Sequence, residues 1–142
     1  MKNSKDILGS VVKTTQMGQT GIRSVMSASM RPALRQALES QLREYDQIEE
    51  EALDIVSRRN WQVAQLGSMA KTCSKAVSKA RLSHGNTDSK IAAMMIQGNT
   101  RGMIKGLRNM HQFPQQDTAV SGLSQRLLDM ETDNIRQMKA FL

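Results

Sequence analysis

The residues of this chain that could carry chemistry are two histidines, one cysteine and a cluster of acids. A dinuclear metal centre between helices needs carboxylates and a Glu-x-x-His motif on each half, because residues three apart share one helix face. The histidines here are His84 and His111, and the residues three before them are Arg81 and Arg108. Asp46, Glu49 and Glu50 could supply carboxylates from one helix and Glu131 from another. Without imidazoles beside them, the expectation is a solvated acidic face and no metal held by side chains. Cys73 falls on an apolar stripe with no histidine near it in sequence to act as a base, so it reads as a buried structural thiol. No Ser-His-Asp pattern, phosphate loop or Cys-x-x-Cys pair is present. The expectation is a non-enzymatic protein with no cofactor.

Charge offers a second kind of site. The net charge is +7, and its placement says more than its sum. Between Ser57 and His111 there are ten Lys or Arg residues and one acid, Asp88, whereas Glu39 to Asp54 holds seven acids and one Arg43. Within the basic segment 58–108, Arg58, Arg59, Lys71, Lys75, Lys79 and Arg81 are the candidates for binding a polyanion such as nucleic acid. Base stacking would need aromatics beside them, and Trp61 alone is near. A solvated face, or one that complements the acidic segment, is the bland alternative.

Small residues supply a third feature. Gly98, Gly102 and Gly106 recur every four residues and form a stripe of bare backbone on one helix. Such a stripe lets two backbones approach closely, and the helix it marks carries Arg101, Lys105 and Arg108, which suits water rather than lipid. Its partner is expected to be the first helix, through Gly18 and Gly21, or a second copy of the chain in a homodimer.

The elements that position these residues are all helical. Aromatics make up 3% of the chain, two prolines interrupt it and no stretch alternates apolar and polar residues by twos. The first helix is expected over 4–30, with Ser4 or Asp6 at its start. Pro32 suits the first turn of a second helix, in which Leu34, Leu38, Gln41, Tyr45, Ile48, Ala52 and Ile55 recur by fours and threes. A third helix is expected over 61–82. A fourth follows over 88–112, capped by Thr87, with Ile96, Met103, Leu107 and Met110 as its apolar stripe. A fifth runs from Thr118 to the end, with Val120, Leu123, Leu127, Met130, Met138 and Phe141 facing inward. The second and fifth helices carry the bulkiest stripes and are expected to form the main seam of the core.

A faint internal repeat organises these helices. Leu38, Leu42, Tyr45 and Asp46 match Leu123, Leu127, Met130 and Glu131 in spacing. Two αα-hairpins, 4–60 and 88–142, joined by a crossover helix over 61–82, make a single all-α domain of 142 residues: an antiparallel four-helix bundle of ferritin-like type.

Residues 5–62 also carry a resemblance. Lys5-Asp6-Ile7-Leu8, the run Pro32-Ala33-Leu34-Arg35-Gln36-Ala37-Leu38, and Arg59-Asn60-Trp61 resemble the spore coat F family, whose helical hairpin has a K-D-x-L start, an L-R-x-x-L second helix and an aromatic close. Asn60 stands where that family usually has glycine, Gln62 replaces a second aromatic, and no proline follows Trp61. The resemblance implies a ferritin-like bundle from a spore-forming bacterium, associated with the coat. With no apolar leader in residues 1–8 and no run approaching the ~20 apolar residues of a membrane span, a cytoplasmic location is expected otherwise. The functional expectation is a structural or interaction protein without a di-metal site. The alternatives are polyanion binding through the basic segment and a metal-binding ferritin-like enzyme.

Overall fold

A computed structural model describes residues 3–63, 85–113 and 117–142. Four helices account for most of them: α1 (Ser4–Val25), α2 (Pro32–Arg58), α3 (Thr87–Gln112) and α4 (Thr118–Lys139). No strand occurs among the described residues. The helix expected over 61–82 lies, from residue 64 on, outside them.

Local chemistry sets the helix ends. α1 begins on a capping box one residue earlier than expected: the Asn3 side chain accepts from the Asp6 N–H at 3.1 Å, and Asp6 Oδ2 accepts from the Asn3 N–H at 3.0 Å. Pro32 opens α2, where its missing N–H costs nothing. α2 closes in a Schellman turn. Trp61 N–H donates to the Val56 carbonyl at 2.9 Å and Asn60 N–H to that of Ser57 at 3.2 Å. This turn puts Asn60 in the left-handed region at φ 54°, which asparagine tolerates better than other non-glycine residues. Thr87 does not cap α3. It is the first helical residue, after Gly85 at φ 73° and Asn86 at φ 50°. Asp117 caps α4 by accepting from the Ala119 N–H at 2.9 Å.

Long-range polar contacts show which ends meet. Asp117 N–H donates to Ser4 Oγ at 2.8 Å, and the Asp117 carboxylate pairs with Arg59, so the starts of α1 and α4 meet the end of α2. Asp88 accepts from both Nε and N–H of Arg31, at 2.5 and 3.2 Å, and the Arg31 guanidinium lies over the Phe141 ring. The starts of α2 and α3 and the end of the chain therefore share the other end. Arg126 on α4 also pairs with Glu51 on α2.

The core departs from the main seam expected between α2 and α4. α1 is a full partner in it, with Ile7, Leu8, Val11, Val12, Ile22 and Val25 buried. The broadest contacts are α3 with α4 and α1 with α2, while the α2–α4 seam is smaller. Leu42 is accordingly half-buried, whereas Leu34 and Leu38 are fully enclosed. On α3 the inward row is Ala92, Met95, Asn99, Gly102, Gly106 and Asn109, in strict three-four spacing, with Ile91 beside it. The apolar row expected there, Ile96, Met103, Leu107 and Met110, lies on the flank, and Leu107 is 37% exposed. The reason is that from Asn99 onward α3's inner positions carry amide side chains or bare glycine, so the apolar residues of its second half do not mark its buried face.

Truncation tests this assignment. Leu38→Ala should cost ~2–5 kcal/mol in a urea titration, and Leu107→Ala less than about 1 kcal/mol. Equal losses would place the core of α3 on the wrong face.

Candidate functional site: a buried polar layer beneath an open groove

The inward positions at mid-height are polar. Tyr45 on α2, Asn99 on α3 and Glu131 and Asn134 on α4 are all buried, with Glu131 only 2% exposed. Their helical registers place them in one layer: Tyr45 belongs to the α2 seam, Asn99 to the α3 row, and residues 131 and 134 are three apart on α4. Tyr45 Oη lies 2.9 Å from Asn99 Oδ1 and 3.3 Å from Glu131 Oε2. Asn134 Nδ2 donates to the same Asn99 oxygen at 3.2 Å, and Asn99 Nδ2 donates to the Met95 carbonyl at 2.7 Å.

One proton count orders this network. A tyrosine hydroxyl has a single hydrogen, and two acceptor oxygens lie within its reach. Burial pushes the Glu131 carboxyl up to about 8, opposed by its hydrogen bond with Tyr45, so it is mostly protonated at neutral pH. The Tyr45 hydroxyl donates its one hydrogen within this pair of acceptors, the Asn99 oxygen being the nearer, and the raised Glu131 carboxyl keeps the layer mostly neutral, as a low-dielectric interior favours. Tyr45 itself is held well above the usual phenol range, first by burial and then by the nearby Glu131. Glu131 meets Tyr45 through Oε2.

Two glycines make room for this layer. A Cβ at Gly18 on α1 would overlap the Tyr45 ring, and one at Gly102 on α3 would overlap the Glu131 carboxyl. The space at these glycines is thus filled by side chains from α2 and α4. At Gly21, Gly98 and Gly106 a Cβ would meet nothing within 4 Å. Gly21 and Gly98 face an open groove between α1 and α3 with a cavity of about 340 Å³. Its walls are mainly apolar, from Met17, Ile22, Met94 and Met95, and its floor is Tyr45, Asn99 and Glu131. Arg101 and Lys105 line it from α3. On the other side of Glu131 is a small cavity of about 20 Å³ reached by Asn109 and Ser124.

The residues singled out from sequence fall elsewhere or stand apart. Arg58 pairs with Asp54 at 2.7 Å, and Arg59 pairs with Asp117 while stacking on Trp61. Lys71, Cys73, Lys75, Lys79, Arg81 and His84 lie outside the described residues. Of the four carboxylates considered for a metal, Asp46 and Glu50 are exposed, Glu49 is partly so, and Glu131 alone reaches the interior. No group of three His, Cys, Asp or Glu side chains is placed to hold a metal among the described residues. No described helix is long and apolar enough to cross a membrane. Asn99 and Asn134 escaped the sequence reading. The signal was available in the register of Ala92, Met95, Asn99 and Gly102, but a search for apolar residues passes over it.

Compared with protein-family models, curated proteins and solved structures, the chain matches none.

Two outcomes are expected. Gly98→Ala should stabilise by up to about 1 kcal/mol because alanine favours a helix, whereas Gly102→Ala should destabilise by ~1–3 kcal/mol through its clash with Glu131. Chemical denaturation of the pair would show the same sign for both if the carboxyl were not seated there. The second concerns pH. The folded value of Glu131, about 8, lies above its ordinary 4.5, so the folded chain binds the proton more tightly than the unfolded one. This stabilisation is complete below the ordinary value and is lost as pH rises through the folded value, by up to about 1.4 kcal/mol per pH unit. Glu131→Gln should lack that loss and become the more stable protein at alkaline pH. Glu44, raised by burial and then Asp133, and Asp133, lowered by its hydrogen bond from Arg136, are common to both proteins and cancel in the difference. A difference that stays flat with pH would show that Glu131 is ionised in the folded state.

Proposed function

We propose that this protein is a non-enzymatic interaction bundle that receives a small apolar ligand in the groove between α1 and α3. The observation that carries the reading is the groove itself: an open cavity of about 340 Å³ with mainly apolar walls and a buried, neutral hydrogen-bonding floor. Its volume falls at the lower end of pockets that enclose small organic molecules, and such pockets combine apolar walls with a few placed polar groups. Three methionines in the wall, Met17, Met94 and Met95, give it an adaptable surface.

The fold proposed for it is a ferritin-like arrangement of two antiparallel hairpins, α1–α2 and α3–α4. The shared ends described above support that topology, since Arg31 and Asp88 bring the starts of α2 and α3 together. The central layer is where ferritin-like bundles hold two metals between carboxylates and histidines. Here that layer offers one carboxyl, a phenol and two amides joined to one another. This donor set suits hydrogen bonding to a neutral group and supports a binding role over a di-metal enzyme.

A neutral solvatochromic dye tests the reading. Its emission should shift to the blue and strengthen with wild-type protein. The response should be mostly lost in Gly98→Phe, whose ring would occupy the groove at a position where nothing stands within 4 Å of the Cβ. An equal response from both proteins, or none from wild type, would overturn it.

A further inference from the structure

The groove has a chemical polarity that narrows its ligand, and the inference rests on the binding role proposed above. Its cationic lining comes from α3 alone: Arg101 and Lys105, four residues apart and one turn from each other, are both exposed. Among the described residues the one acid in the lining is Glu131, at the floor, 2% exposed and hydrogen-bonded to Tyr45. Between floor and mouth the walls are Met17, Ile22, Met94 and Met95, with bare backbone at Gly21 and Gly98. Arg101 also borders a shallower depression along α3 with Ile104 and Arg108, so positive charge continues outward from the mouth.

We propose that the groove binds a small amphipathic organic acid, its apolar body lying between α1 and α3 and its acid group held at the mouth by Arg101. Arginine suits this role because its planar fork meets a carboxylate through two parallel N–H donors. A ligand amine would bring like charge to Arg101 and Lys105. A plain alcohol or alkane would fill the apolar walls and leave the guanidinium with water alone. The neutral Glu131 floor is compatible with an anion, since an ionised carboxylate there would repel it.

Titration calorimetry at neutral pH with octanoate, octanol and octylammonium, each below its aggregation limit, tests the assignment. Octanoate should bind tightest. Arg101→Gln should weaken octanoate by about tenfold or more, the loss of one charged hydrogen-bonding partner, and leave octanol unchanged. Gly98→Phe should abolish binding of all three while thermal unfolding shows the bundle still folded. If octanol or octylammonium binds as tightly as octanoate, or if Arg101→Gln leaves octanoate unaffected, the acid assignment is overturned while the groove stands as a binding site. If no probe binds wild type, or Gly98→Phe binds octanoate as wild type does, the groove reading itself fails and the acid assignment with it.

Discussion

A carboxyl group buried among four helices has few ways to exist, and the interior of this protein is arranged around one of them. Glu131 sits at mid-height, neutral, bonded to Tyr45 and lying against the bare backbone of Gly102. Ionising it would place an unpaired charge in low dielectric, and removing its hydrogen bond would leave a buried donor without a partner. Tyr45 can reach it because α1 presents Gly18 to the ring. The two contacts therefore link all four helices: α2 reaches past α1 through Gly18, and α4 reaches past α3 through Gly102.

The same seating shapes the groove. Side chains from α2 and α4 occupy the space that the glycines of α1 and α3 leave open. At Gly21 and Gly98 nothing fills that space, and the gap between the two helices becomes a cavity with a polar floor. Glycine acts here by making room for a neighbour's side chain at Gly18 and Gly102 and by leaving the groove open at Gly21 and Gly98.

The bundle's ends are organised by charge. Asp117 ties the starts of α1 and α4 to the end of α2, and Asp88 does the same for the starts of α2 and α3 through Arg31. Exposed ion pairs of this kind are worth little in stability, typically under ~1 kcal/mol each. Their effect is on register. By fixing where each helix begins, they hold residues 45, 99 and 131 at one height. Two of the arginines that sequence marks for a polyanion are taken up in such pairs, Arg58 with Asp54 and Arg59 with Asp117.

Helical class, the breaks near residues 30, 60, 85 and 114, and the inner face of α2 were determined by local pattern. They follow from three-four spacing, proline geometry and turn chemistry, all of which act within a few residues. The Asn60 turn belongs with them, since a left-handed residue after a helix needs no distant partner. The buried face of α3 was decided only by tertiary structure. From Asn99 onward its inward row is glycine and asparagine, and apolar content there points to the flank bearing Met103 and Leu107. The state of Glu131 was decided there too. In sequence it matched Asp46 of the first hairpin, yet Asp46 is solvated and Glu131 is enclosed. Whether a carboxylate is a surface charge or a buried acid depends on what the other helices bring to it. Tyr45 is 86 residues away from Glu131 along the chain, and no local pattern could join them.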